Sequence, residues 1–268
     1  MPDIAKPKIL LVGGGKMGGA LLQRWKDLAL YADVCVIEPT SIASLAVPQV
    51  DSHAHVPASF KPDVVVFAVK PQILPDILGD YRRYAENSAL IISIAAGRSI
   101  SFFQDMLGAS AKIVRSMPNT PASIGKGITV ACASKNIHDA DKSLADRLLA
   151  SVGSVIWVDR EELLNPVTAL SGSGPAYVFL LIEVLTKAGV HIGLSPDMAE
   201  KLARQTVIGS GALAEFSPSI SAQKLRENVT SPGGTTQAAL DVLLPSDLQD
   251  IFDEALSAAT QRAKELSK

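Results

Sequence analysis

A glycine-rich run, Gly13-Gly14-Gly15-Lys16-Met17-Gly18, follows a short apolar stretch and has the spacing G-x-G-x-x-G. That spacing serves dinucleotide binding for physical reasons. Gly13 permits a tight turn, Gly15 lets the backbone approach a pyrophosphate, and Gly18 lets the following helix pack close to the strand. The helix beginning through Lys16 and Met17 turns its N-terminal N–H groups toward the phosphates. Some twenty residues on, Glu38 ends the next apolar run, where a carboxylate accepts the adenosine ribose hydroxyls. A carboxylate there repels a 2′-phosphate, and Pro39, Thr40 and Ser41 supply hydroxyls but no arginine. NAD(H) is therefore at least as acceptable as NADP(H). The bland alternatives are a turn kept glycine-rich for packing and a glutamate that merely ends a solvated strand. A Walker A loop is excluded, because Met17 stands where Ser or Thr is required.

Hydride transfer to a carbonyl needs a general acid for the developing alkoxide, and candidates are scarce. His53, His55, His138 and His191 sit in loops or near surface helices, in no recognisable catalytic setting. His53-x-His55 lacks a third metal ligand nearby. Other segments stand out for having no charged side chain: Ser93–Gly97, Met117–Pro121 and Ser171–Tyr177. The first two follow strands, at the sheet edge where open α/β folds bind ligands. Most informative is Val229-Thr230-Ser231-Pro232-Gly233-Gly234-Thr235-Thr236, which opens a helix with small residues and hydroxyls. Such a helix start binds an anion without a charged side chain. A plain helix cap would need only one of those hydroxyls.

The elements that must position these groups fall into two sets. Lys8–Val12, Asp33–Ile37, Val64–Val69, Leu90–Ile94, Lys112–Val114, Thr129–Ala133 and Val155–Val158 read as strands, mostly in continuous apolar runs. Such runs mark strands buried on both faces of a parallel sheet. Helical patterns alternate with them at Met17–Leu28, Ile73–Tyr84, Ser101–Leu107 and Asp139–Val152, Ser101 with Gln104 forming a capping box. The expectation is α/β: an N-terminal Rossmann-type doubly wound sheet over 1–160, then an all-α dimerisation and substrate-binding domain over 161–268. Its helices are Glu161–Leu170, Ala176–Ala188, Met198–Phe216, Ala222–Val229, Thr236–Leu243 and Leu248–Leu266. Ser195-Pro196 and the Ser246/Gln249 pair act as start signals. The charge-free stretch Leu163–Ile182 approaches the length of a membrane span. Pro166, Gly172, Gly174 and Pro175 argue instead for two helices joined by a tight turn. The helix over Tyr177–Leu185 is apolar almost all round, which calls for burial on every side. A dimer that shares helices meets that demand better than a deep core within one chain.

Across 268 residues, 25 Lys+Arg nearly balance 27 Asp+Glu, and 47% of positions are hydrophobic. That balance excludes a disordered chain and lacks the basic footprint of a nucleic-acid binder. Cys35 and Cys132 lie far apart, without a thiolate metal pattern, as in a protein of the reducing cytoplasm. The apolar run Ile9–Val12 is too short for a signal segment.

Taken in order, Ala68-Val69-Lys70-Pro71, Met117-Pro118-Asn119-Thr120-Pro121, Ser171-Gly172-Ser173-Gly174-Pro175-Ala176-Tyr177 and Asn228 through Thr236 resemble the pyrroline-5-carboxylate reductases along essentially the whole chain. The resemblance implies NAD(P)H-dependent reduction of 1-pyrroline-5-carboxylate to L-proline, the last step of proline biosynthesis. It accounts for the missing acid, since a cyclic imine bound already protonated yields a neutral amine on hydride attack. It implies that backbone N–H groups around Ser231, Gly234 and Thr235 hold the substrate carboxylate and that the Thr236 hydroxyl meets the ring nitrogen. Ala68, Val69, Lys70 and Pro71, together with Ala95, Ala96 and Gly97, would line the cofactor. Asn228 and Glu161 match positions near cofactor or substrate. A homodimer is implied, and the family also forms rings of dimers, as in a decamer. The segment Phe216–Ile220 departs from the family pattern, so an acidic residue common there has no counterpart. Two rival readings remain: a β-hydroxyacid dehydrogenase or imine reductase, whose helix lysine appears here only at Lys187, and a non-catalytic dinucleotide sensor.

Overall fold

Continuous apolar strands of this kind are soluble only when both faces are covered, and that demand organises the first unit of the protein. A computed structural model describes residues 6–40 and 47–267. Eight strands form one sheet: β1 (Lys8–Val12), β2 (Asp33–Ile37), β3 (Gln49–Val50), β4 (Val64–Phe67), β5 (Leu90–Ser93), β6 (Lys112–Met117), β7 (Gly127–Ala133) and β8 (Gly153–Trp157). Their order is β3-β2-β1-β4-β5-β6-β7-β8, parallel throughout except where β7 runs antiparallel to β6. The strand order reverses between β1 and β4, paired from Ile9↔Val64 to Val12↔Phe67. That reversal opens a crevice beyond the carboxyl ends of the strands.

Alternation along each strand divides the apolar residues between two layers. Ile9, Leu11, Val64, Val66 and Ile92 face α1 (Lys16–Asp27) and α5 (Asp139–Leu149), packing against Leu21, Leu22, Trp25 and Leu148. Leu10, Val12, Val65, Phe67 and Ile91 face the other layer, which supplies Leu74, Leu78, Tyr81 and Phe103. That second layer is built from α2 (Leu74–Ile77), a 3₁₀ turn, α3 (Arg82–Glu86) and α4 (Ile100–Leu107). Trp25 is fully buried, and its indole N–H donates to the Leu148 carbonyl at 2.9 Å.

Several local expectations are corrected. The helix expected over Ile73–Tyr84 is broken by the 3₁₀ turn Leu78–Tyr81, with Pro75 at its start and Gly79 at the break. The cap of α4 is Ser99, whose Oγ accepts from the Phe102 N–H at 3.1 Å, so Ser101 and Gln104 form no capping box. The Ser246 hydroxyl donates to the Leu243 carbonyl and Gln249 bonds Asp253, so that pair is no box either. The two-residue β3 was not anticipated, being too short to show a pattern.

Leu163–Ile182 is not two helices joined by a turn. Helical structure is continuous over Glu161–His191, long and apolar enough by composition to cross a membrane. It runs through α6 (Leu164–Val167), a π-helical turn at Thr168–Gly172, and α7 (Gly174–His191). Pro175 has no N–H for the Ser171 carbonyl one turn back. The Asn119 amide takes that carbonyl at 3.2 Å, and its Oδ1 accepts from the Ile128 N–H at 3.0 Å.

The compact units divide at Ser173 and Gly174, and residues 258–267 return to the first unit. The second unit, Gly174–Ser257, contains α7, α8 (Pro196–Phe216), α9 (Ala222–Asn228), α10 (Thr235–Leu243) and most of α11 (Leu248–Leu266). No residue of α7 is buried within the chain, which excludes the deep single-chain core and leaves its apolar surface to be covered from elsewhere. Phe179, Leu180 and Val184 are all more than half exposed.

Asn119→Ala removes both bonds bridging β7 and the π turn. It should lower unfolding free energy by about 1–3 kcal/mol, read as a reduced urea midpoint at unchanged slope.

Candidate active site

Three strand ends and a glycine turn build a groove of about 510 Å³ at the crevice beyond β1 and β4. Gly13 (φ +101°) makes the turn, and a Cβ on it would lie 2.8 Å from the Ala68 carbonyl. A Cβ on Gly18 would lie 2.0 Å from the Gly13 carbonyl oxygen, so α1 reaches this position only without a side chain there. Gly15, the cap residue of α1, is different: a Cβ would meet nothing within 4 Å. The space it leaves open, beside an N-terminus that no side chain caps, fits a pyrophosphate.

Glu38 is more than a solvated strand end. Its Oε2 accepts from the Gly14 N–H at 2.9 Å and its Oε1 from the Thr40 N–H at 3.2 Å. The carboxylate thus ties β2 to the glycine turn. Ser41 lies outside the described residues. Ala68, Val69 and Lys70 line the groove with Gly13, Gly15 and Glu38. Lys16, Met17, Gly18 and Pro71 do not line it. Met17 packs on the core, and the Pro71 carbonyl accepts from Arg98 Nε. Ala95, Ala96 and Gly97 also lie outside it: Gly97 (φ +75°) is buried where a Cβ would meet the Leu266 carbonyl oxygen at 2.6 Å. Glu161 is committed elsewhere, its Oε1 accepting from Arg115 at 2.9 Å and from the Ile100 N–H at 2.7 Å.

Sequence reasoning missed His53 as a wall of the groove. It packs on Tyr81, with ring centroids 4.9 Å apart. Burial holds its pKa below the ordinary histidine value, the Arg83 charge adds to this, and Asp80 opposes it. No sequence signal marks it, since His53 lies in a polar stretch, Asp51-Ser52-His53-Ala54-His55, before β4. Of the other histidines, His55 pairs with Asp51, His138 caps α5, and His191 is exposed at the end of α7.

In the second unit, the hydroxyl-rich segment folds as a turn between α9 and α10. Asn228 is the last residue of α9, Gly233 takes φ +69°, and the Gly234 N–H donates to the Ser231 carbonyl at 3.0 Å. Gly234 caps α10 without a side-chain bond. The simple capping explanation for these hydroxyls therefore fails. First-turn amides, those of Thr235 and Thr236 included, have no intrahelical acceptor. Ser231 and Thr235 are exposed and Thr236 is half-buried, so donors and hydroxyls cluster where an anion can reach them.

Residues 161–266 match the family model for pyrroline-5-carboxylate reductase dimerisation, and residues 8–97 match that for NADP oxidoreductase, coenzyme F420-dependent. The chain is 35% identical to the pyrroline-5-carboxylate reductase of Pseudomonas aeruginosa, with 99% of this chain and 98% of that protein covered. It is 38% identical to the Synechocystis enzyme, over 96% of this chain and 97% of that one. Among solved structures, the pyrroline-5-carboxylate reductase of Coxiella burnetii superposes with a TM-score of 0.91 at 35% identity, covering 98% of this chain and 99% of that one. The Plasmodium falciparum enzyme, solved with NADP bound, gives 0.84 at 31% identity over 99% and 100% of the two chains.

Two glycine variants separate folding from binding. Gly15→Ala should leave Tm unchanged but weaken dinucleotide binding by about tenfold or more, as its methyl fills the open space beside the turn. Gly18→Ala should lower Tm sharply, because its methyl has nowhere to go; thermal melts and calorimetric titration read the two effects.

Proposed function

This chain belongs to the pyrroline-5-carboxylate reductase family, and we propose how its residues divide the reduction of 1-pyrroline-5-carboxylate to L-proline. The observation that carries the reading is the start of α10: amides without helical acceptors, surrounded by hydroxyls and free of any capping side chain. The substrate is a five-membered cyclic imine bearing a carboxylate. The N–H groups of Ser231 and Thr235 hold that carboxylate, favoured by the helix dipole, while Gly234, whose own N–H donates to the Ser231 carbonyl, shapes the turn. The Thr236 hydroxyl meets the ring nitrogen and orients the imine, and Asn228 closes the same turn. A bound, reduced nicotinamide dinucleotide supplies the hydride.

The ring enters as an iminium. Hydride addition to its carbon moves the C=N π electrons onto nitrogen, giving a neutral secondary amine. No oxyanion develops, so no proton donor is required during transfer. This agrees with a turn composed of glycines, hydroxyls and amides rather than of acids. Rate enhancement then comes from proximity and orientation. In the first unit, Gly13, Gly15, Ala68, Val69 and Lys70 hold the dinucleotide, with Gly18 letting α1 start beside it. Lys70 is exposed at the groove and supports the nucleotide rather than acting as a base.

The dimerisation region oligomerises the chain, and two copies sharing α7 and α8 make the unit we propose. Apolar side chains exposed along these helices, including Phe179, Leu180, Leu202 and Ile208, support that pairing. The ring of dimers is the larger assembly. We place the enzyme in the cytoplasm: Cys35 and Cys132 are both buried and unpaired, and burial raises both thiol pKa values.

Thr236→Ala should reduce kcat/KM for the imine by about tenfold to a hundredfold, the worth of one hydrogen bond to a charged group. Dinucleotide affinity measured separately should stay within about twofold; unchanged turnover would remove the assigned role. In sedimentation, the wild-type chain should run as a dimer or larger at micromolar concentration. Phe179→Asp should shift it toward monomer, and a monomeric wild type would contradict the shared-helix assembly.

A further inference from the structure

The wall of the groove nearest β2 carries an imbalance of charge that the reductase reaction does not require. Glu38, Asp51 and Asp80 all line the groove, and Lys70 is the single cation beside them among the described residues. Beyond Thr40, positions 41–46 contain no Lys or Arg in sequence. His53, the other nitrogen base on this wall, has its pKa lowered by burial, which disfavours its charged form.

Glu38 is also braced. Each carboxylate oxygen accepts a backbone N–H, from Gly14 and from Thr40. Its own carbonyl accepts from the Gln49 side chain at 2.9 Å, and the same amide group bonds the Thr40 carbonyl at 3.0 Å. An exposed glutamate can swing away from an incoming anion. This one cannot do so without giving up two amide bonds, one of them to the phosphate-binding turn itself.

We infer that this chain selects the dinucleotide lacking a 2′-phosphate, and that Glu38, fixed by Gly14 and Thr40, is the specificity-determining residue, with Asp51 and Asp80 reinforcing it. The inference rests on reading the groove as the dinucleotide site. A carboxylate at the end of β2 lies where the adenosine ribose is bound. There it accepts from ribose hydroxyls, whereas a 2′-phosphate sets like charges together with no guanidinium to offset them. The double anchoring gives Glu38 a second duty. A short replacement such as serine releases the glycine turn as well as the charge and so confounds the two effects. Glutamine keeps an acceptor oxygen for the Gly14 N–H while removing the charge.

The test is calorimetric titration of the full-length chain with NADH and with NADPH, at low salt and again at 0.5 M salt. The wild type should bind NADH about tenfold more tightly, and the ratio should shrink at high salt as the repulsion is screened. Glu38→Gln should lower the ratio by about fivefold or more, and Asp80→Asn should lower it less. Equal affinities in the wild type, or a ratio that Glu38→Gln leaves unmoved, would overturn the inference while leaving the dinucleotide site intact. If neither NADH nor NADPH bound, both the inference and the reading of the groove as the dinucleotide site would be overturned.

Discussion

Gly18 lies so close under Gly13 that one added methyl group would overlap the Gly13 carbonyl oxygen. The first half of the molecule depends on that approach. With no side chain at Gly18, α1 begins directly against the ends of β1 and β4. Its unpaired N–H groups then face the crevice where the strand order reverses. Gly13 turns the chain in a conformation open to glycine, and Gly15 leaves room in front. Three missing side chains do three different jobs. Only Gly15 has open space in front of it, where the proposed reading puts the pyrophosphate; the other two are packing constraints that create that space.

Much of this was legible in the sequence because strand burial and glycine spacing are local signals. Continuous runs such as Val64–Phe67 can be satisfied only between two covering layers, and the strand positions follow with small shifts at their ends. What could not be read was set by distant partners. Glu161 resembles a site residue in one dimension, yet it is held by Arg115 and the start of α4. His55 and His53 are two positions apart, but only the second faces the groove, because it packs between Tyr81 and Tyr84. The stretch around Pro166 and Pro175 carries helix-breaking residues and remains helical. A side chain from Asn119 serves the carbonyl that Pro175 leaves unpaired, and periodicity cannot report such a bond.

The two sites use backbone groups in the same way. At the glycine turn and again before α10, a helix begins with no capping side chain, and in the proposed reading its amides, rather than lysine or arginine, meet the anions. Such sites bind through geometry, with little long-range attraction, which suits a chain whose charges nearly cancel. The same economy leaves the helical unit with almost no interior of its own. Ala199 and Ala203 are the buried residues of α8, and α7 has none, which suits a region whose family model is a dimerisation domain.

Gly97 makes its close contact with the backbone of Leu266, about 170 residues later in the chain. During synthesis the sheet therefore emerges long before the segment that completes it. At the usual elongation rate the wait is on the order of ten to thirty seconds. The last turns of α11 close the first unit only after the ribosome has released its grip on the helices in between.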